Sequence, residues 1–370
     1  MFILFLIVID IVIIGACAFV PYITRKTELF GVSLPSSEID LPQLGKLRAG
    51  YRNTMLILGV VFIIASAVIG AFGDWSDLWA LYAWLGLMAL YLVASFVFYL
   101  TRHKTMKRIK AEMGWADIQK PAVVVASTTP AAKDVISSAW LLLYPLIILL
   151  SLAALWLVWP QIPDPAPTHF SMDGQGDAWT EKGPRLWVPI LAINVFLAVV
   201  MIGVHYVTRA TRRQIDAANP EESLARDMLF RRYMSIAILA MGVLTLVYMN
   251  ILQILTLTGT MVSTEVIIFT IAFMLVLIAG IIFFMFRIGQ GGSRLDLQKK
   301  EAHHAQNYDD DKYWILGLFY FNPADPAVFV EKRFGLGMTA NLARPLAWIM
   351  IGGLLVFIVV LLIVVYAFAS

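Results

Sequence analysis

The chain has 370 residues, of which 60% are hydrophobic and only 14% charged, with a formal net charge of +3. A globular domain carries about 25% charged residues to cover its wetted surface. Composition therefore excludes a cytosolic single-core protein, a disordered chain, a secreted disulfide scaffold and a nucleic-acid binder, and leaves an all-α polytopic membrane protein whose first partner is the lipid bilayer.

Crossing the hydrocarbon core takes about 20 consecutive apolar residues in a helix. Eight stretches qualify, at roughly 1–23, 55–73, 78–100, 138–159, 187–208, 234–258, 265–286 and 346–368. Of the 28 Lys and Arg residues, all but Lys182 and Arg185 fall on alternate connections. The positive-inside rule then makes those four connections cytoplasmic and puts both termini outside. Four regions follow: 1–137 with three spans, 138–208 with two spans and an outer loop, 209–286 with an elbow and a two-span hairpin, and 287–370 with an aromatic segment and the last span.

The first span carries Asp10 among aliphatic residues and Cys17, the single cysteine, which cannot pair within the chain. Ile14-Gly15-Ala16-Cys17 looks like a lipoprotein cleavage box, but no basic stretch precedes the apolar run, so the helix reads as uncleaved. Gly73 to Asp77 reads as a tight turn between the second and third spans. Thr101 to Met113 continues the third span as a basic helix with Met106, Ile109 and Met113 on one face, suited to anionic headgroups or simply a solvated helix end. Thr129-Pro130 has the cap chemistry to start the fourth helix.

The loop 160–186 is dense in proline, which forces an extended path. Asp173-Gly174-Gln175-Gly176-Asp177 reads as a turn, and Trp156, Trp159, Trp179 and Trp187 form an interfacial belt. His169, Asp173 and Asp177 could hold a cation, but their spacing fits no known metal loop. Nothing near His169 marks a catalytic nucleophile, so neither a metal nor any other cofactor is expected, and no enzyme. A rigid loop held by its own hydrogen bonds, or one used for recognition, fits the residues better.

Pro163, Pro167-Thr168-His169-Phe170, Gly174, Asp177, Trp179 and Lys182 resemble the characteristic loop of the sporulation-delaying-protein immunity family. Its common form reads roughly Leu-Pro-x-x-(Ile/Val)-Pro-Thr-His-Phe-Asn-x-x-Gly-Glu-Pro-Asp-x-Trp-Gly-x-Lys. The register is gapless from Pro167 to Lys182 and departs at Gln175, Gly176 and Thr180. The resemblance implies a multi-pass bacterial inner-membrane protein that protects its host against a membrane-active peptide. By this reading Pro167, Thr168, His169, Phe170, Asp173, Gly174, Asp177, Trp179 and Lys182 would meet an extracellular peptide.

Intramembrane polar groups are costly and each is a candidate for function. Asn194, Asn250 and Gln253 join Asp10 in that set. Asn250 and Gln253 share a face and suit a bond to a neighbouring helix, while His205, near Arg209, reads as interfacial. One acid without repeat symmetry argues against the alternative, a small-solute or proton-linked transporter. Asn219-Pro220-Glu221-Glu222 starts a helical elbow, and Thr258 to Thr264 links the sixth and seventh spans.

In the loop 287–345, Tyr313 to Phe321 reads as an amphipathic segment at the inner interface, followed by Asn-Pro and Asp-Pro turns. Its Tyr-Phe-Asn-Pro and Arg-Phe-Gly-Leu-Gly elements resemble a second, small uncharacterised domain. The resemblance suggests Trp314, Tyr320, Asn322, Arg333, Phe334 and Gly335 as a docking surface for a cytoplasmic regulator. Gly335 and Gly337 lack the third glycine and the strand of a nucleotide loop. Glu28-Leu29-Phe30-Gly31-Val32-Ser33 echoes the Phe-Gly step at 334–335 and hints that the two segments pack together.

Overall fold

The computed structural model describes residues 2–35, 38–72, 79–118, 134–170, 176–213, 220–259, 263–295 and 309–369. Eight of its helices are long and apolar enough to cross a membrane. They are α1 (Phe2–Ile23), α2 (Pro42–Phe72), α3 (Trp79–Glu112), α5 (Leu143–Val158), α6 (Pro184–Ala210), α7 (Pro220–Leu257), α8 (Ser263–Arg287) and α9 (Pro345–Ala369), with a single turn, α4 (Trp115–Ile118), after α3. The eight apolar runs expected from the sequence are these helices. Their outer faces stay apolar: Phe72 is 86% exposed, Leu90 65% and Ile349 67%, a surface that only lipid covers without cost.

Several helices run further than their apolar runs. The basic stretch before the second span belongs to α2, and α7 is continuous from Pro220, so the expected elbow is the first part of the sixth spanning helix. Straight-chain basic residues lose little rotamer freedom in a helix, so nothing stops it at the headgroup boundary. The fourth spanning helix opens with a 3₁₀ turn, Ser138–Leu142, capped by the Ser137 hydroxyl. The expected turn at Gly73 to Asp77 and the cap at Thr129-Pro130 lie outside the described residues, as does part of the 258–264 link.

The helices pack as two groups. In the first, α1 lies on α2 and α2 on α3, around Ile14, Phe62 and Tyr91. In the second, α5, α6 and α7 meet around Tyr144, Ala198 and Leu246, and α9 lies on α6. Helix α8 touches both α1 and α7.

Four short antiparallel hairpins decorate the ends, a feature the all-α reading did not include. They are β1 (Glu28–Leu29) with β2 (Val32–Ser33), β3 (Ala166–Phe170) with β4 (Gly176–Thr180), β5 (Trp314–Ile315) with β6 (Phe319–Tyr320), and β7 (Phe329–Glu331) with β8 (Met338–Ala340). The alternation of eight spans collects the four basic connections at one end of the bundle, here the basic end. Among the described residues three hairpins lie there, and β3–β4 is the one at the far end.

Candidate functional site

At the far end, the β3–β4 hairpin is seated on the helices rather than suspended from them. Ile162 and Ala166 are buried against Leu155, Leu186, Ile190 and Leu257, drawn from α5, α6 and α7. Asp164 accepts the Lys182 amide at 3.0 Å, and the Lys182 ammonium reaches the Trp159 carbonyl at 2.9 Å. Pro167 is buried, and its Cβ lies beside Gly176, whose other neighbour is the Trp179 indole. That indole folds back to donate to the Gly176 carbonyl at 3.2 Å while remaining 54% exposed. Thr168 is exposed, with its hydroxyl between the Ala178 carbonyl and the Thr180 hydroxyl.

His169 and Phe170 take part in β3, and Asp177 in β4, with an irregular register between Pro167 and Phe170. Asp173 and Gly174, and with them the metal reading that needs Asp173, lie outside the described residues. Among the described residues no group of three His, Cys, Asp or Glu side chains is placed to hold a metal.

Within the second helix group, the structure brings Asn194 and Asn250 together. The Asn250 amide donates to the Asn194 carbonyl oxygen at 2.6 Å across α6 and α7, and each also bonds the backbone one turn earlier in its own helix. Gln253 and Ser151 line the same cavity, which is of a size for about one water. Asp10 is in the other group. It is fully buried and accepts the Trp84 indole N–H at 3.1 Å, so the partner its own helix lacked comes from α3. His205, one turn before Arg209 near the end of α6, is 1% exposed, with no hydrogen-bond partner at either ring nitrogen, so protein encloses it.

The basic end carries the densest polar structure. Segment 309–341 forms a cap that grips both helix groups. Towards the first group, the Lys110 ammonium meets Asp311 at 2.7 Å and Asp309 at 3.0 Å, and the Ser33 hydroxyl donates to Asp311 at 3.0 Å. Arg333 pairs with both Asp310 and Asp311, donates to the Gly31 carbonyl at 3.2 Å and stacks over Trp314. Arg25 pairs with Glu331. Towards the second group, Arg212 pairs with Asp325, its amide donates to the Phe329 carbonyl, and Gln290 exchanges two bonds with Gly337.

Burial shapes the charges there. It pushes the Glu28 carboxyl up to about 7; Arg333 and Arg25 oppose the rise, while Glu331 and Asp311 add to it. Burial also works to raise Asp309, yet the Asp311 amide and Lys110 outweigh it and hold the group below its usual value. The Tyr320 hydroxyl is pushed up by burial and donates to Asp325 at 2.9 Å.

Two hairpin turns touch inside this cap. Phe30-Gly31 joins β1 to β2, and Leu316-Gly317 lies in the turn between β5 and β6; all four residues have positive φ. The Tyr99 hydroxyl bonds both turns, to Leu316 at 2.8 Å and Phe30 at 3.3 Å, and His103 bonds the Phe30 carbonyl at 2.8 Å. Phe334 lies 4.4 Å from Tyr99 and 6.2 Å from Phe30, centroid to centroid. The expected packing of the Phe30 and Phe334 segments is therefore present, with the Leu316-Gly317 turn as its unforeseen third member.

The docking surface needs correction. Trp314, Tyr320, Asn322 and Arg333 are all at most 8% exposed, because they bond the cap from within, and Phe334 is half-buried among rings. Gly335 is half-buried, with nothing within 4 Å of where a Cβ would stand. The basic extension of α3 is helical to Glu112, as expected, with Lys104, Lys107 and Arg108 exposed; its buried stripe, Tyr99, His103, Met106 and Lys110, faces protein rather than headgroups, and Met113 is exposed.

Comparison with known families returns two short matches. A domain of unknown function (DUF1648) matches residues 146–193, which span most of α5, the β3–β4 hairpin and the start of α6. A family of unknown function (DUF5808) matches residues 323–348, from the middle of the cap into α9. No curated protein and no solved structure shows a significant match. The first match covers the loop that resembles the immunity family, and its description carries no activity. The second covers the Arg-Phe-Gly-Leu-Gly part of the C-terminal element that reads as a small uncharacterised domain and begins at the last residue of its Tyr-Phe-Asn-Pro part.

Proposed function

We propose that this membrane protein is of the peptide-immunity type, acts by binding rather than by chemistry, and resides in a bacterial cell membrane with both termini outside. The carrying observation is the β3–β4 hairpin, held on three helix ends by a buried apolar base while Thr168 and Trp179 face outward. A preformed exposed aromatic lowers the ordering cost of capturing an extracytoplasmic peptide. The resemblance of Pro167 to Lys182 to the immunity loop supports the choice of ligand class. The charge bias of the connections supports the sidedness.

A relay to a cytoplasmic regulator would use the exposed turn at Pro323, Ala324 and Pro326 rather than the buried residues beneath it. The transporter reading draws on the Asn194–Asn250–Gln253 cavity alone, since Asp10 sits in the other helix group. The test is a host lacking the gene, complemented with wild type or with His169→Ala plus Trp179→Ala, and challenged with membrane-active peptides. Wild type should restore resistance and the double variant should not. Equal resistance from both, at equal membrane levels, would end this reading.

A further inference from the structure

The β5–β6 hairpin has an outward face that water does not suit. The cross-strand pair Trp314 and Tyr320 points into the cap, and the adjacent pair Ile315 and Phe319 points out, 52% and 47% exposed. Leu316 at the turn and Phe321 beyond β6 add 41% and 44%. A strand pair with one solvated face shows polar residues there, and this one shows four large apolar side chains.

Where the hairpin points is fixed by two contacts with α3. Asp311, before β5, meets Lys110, and Leu316, at the turn, meets the Tyr99 hydroxyl. Lys110 and Tyr99 are separated by about 16 Å along the helix at 1.5 Å per residue. The path from Asp311 to Leu316, a 3₁₀ turn over Asp311–Tyr313 and then strand, covers about 14 Å, and both contacts are made by long side chains of α3. The segment therefore runs beside α3 and antiparallel to it. Lys110 is the far, charged end of α3, whereas Tyr99 is in the last turn of its apolar run, three residues before Arg102. The turn thus reaches the depth at which the apolar part of α3 begins. The hairpin's other end is fixed independently: the Tyr320 carbonyl accepts the Leu342 amide at 2.9 Å, three residues before α9 starts at Pro345.

We propose that the β5–β6 turn dips into the leaflet at the basic end of the bundle, with Ile315, Leu316 and Phe319 among the upper acyl chains and Lys312 above them at the headgroups. Exposed Lys312 lies over the Tyr313 ring at 4.9 Å, a pairing that suits a lysine at the headgroup boundary. The apolar face is then continuous with the lipid-facing surface of the spans. The cap is anchored by lipid on one side and by Arg333, Lys110 and Arg25 on the other. This holds whichever ligand the far end binds.

Depth can be read on the purified protein in phospholipid vesicles. In a Cys17→Ser background, Leu316→Cys, Phe319→Cys and Lys312→Cys each carry a nitroxide label. Collisions with oxygen, which concentrates in acyl chains, are compared with collisions with a water-soluble nickel chelate. The ratio should favour oxygen at 316 and 319 and nickel at 312. Nickel access at 316 and 319 equal to that at 312 overturns the proposal and leaves a solvated face. Low access to both reagents also overturns it, because protein would then cover the face. Ile315→Cys substitutes for either variant that does not yield monodisperse protein.

Discussion

Glu28 shows how much one buried carboxyl can do at the basic end. Its carboxyl faces Arg25, Arg333, Glu331 and Asp311, and one of its oxygens has no hydrogen-bond partner. Burial raises its folded-state value from 4.5 to about 7, so the folded protein holds a proton that the unfolded chain releases. Stability from this group is full below pH 4.5 and is lost as pH rises through about 7. Thermal unfolding across that window should show a falling midpoint, and Glu28→Gln should flatten the slope. An unchanged slope in the variant would assign the dependence elsewhere. Nothing at the residue scale betrayed this in the sequence. Glu28 sits in an ordinary Thr-Glu-Leu-Phe stretch, and its burial depends on residues roughly three hundred positions away. Asp10 was easier to single out, because an acid in an aliphatic helix stands out by itself; its partner Trp84 did not, since a tryptophan in a span looks like any other apolar residue.

At the scale of elements, the two touching turns are the most constrained backbone in the cap. A β-carbon on Gly31 would lie 2.5 Å from the Gly317 Cα and 2.7 Å from the Tyr99 hydroxyl, and the residue already sits at φ +74°. Gly31→Ala should therefore push the turns apart and loosen the cap. Faster proteolysis between residues 309 and 341, with the spans intact, is the expected readout; wild-type rates would show that the contact has slack. The eight helices were legible because an apolar run of spanning length has few other solutions. The hairpins were not, since strands of two to five residues carry too little periodicity to see. The Phe-Gly echo did point to a real junction. It missed Leu316-Gly317, which has the same large-residue-then-glycine step and the same left-handed geometry. The stripe on α3 was misread for a related reason: Met106 belongs to it, but its companions Tyr99, His103 and Lys110 are polar and look like solvated positions.

On the scale of the whole molecule, the cap joins two helix groups that α8 and the 290–294 segment also bridge. Arg333 is central, buried between Asp310, Asp311, Trp314 and the Gly31 carbonyl. Arg333→Met would strip both aspartates of their closest cation, and breaking a buried pair on one side costs about 3–5 kcal/mol. Hydrogen exchange should rise on both faces of the cap, at 28–34 and at 309–341, while the mid-span amides of α5 to α7 stay protected. Exchange confined to the Arg333 segment between β7 and β8 would mean that the groups are held together by other contacts. The charge bias that separates the two ends was plain in the sequence, but which charges neutralise one another was not, because the pairs are so far apart along the chain. That distance has a consequence in time. Arg25 leaves the ribosome 306 residues before Glu331, and Lys110 leaves 201 before Asp311. Through most of translation these cations lack the carboxylates of the cap. The ion pairs form only after seven spans have been made, so the cap acts as a late seal on membrane insertion, and chains halted before residue 309 would display those cations without their cap carboxylates to whatever surveys unfinished proteins.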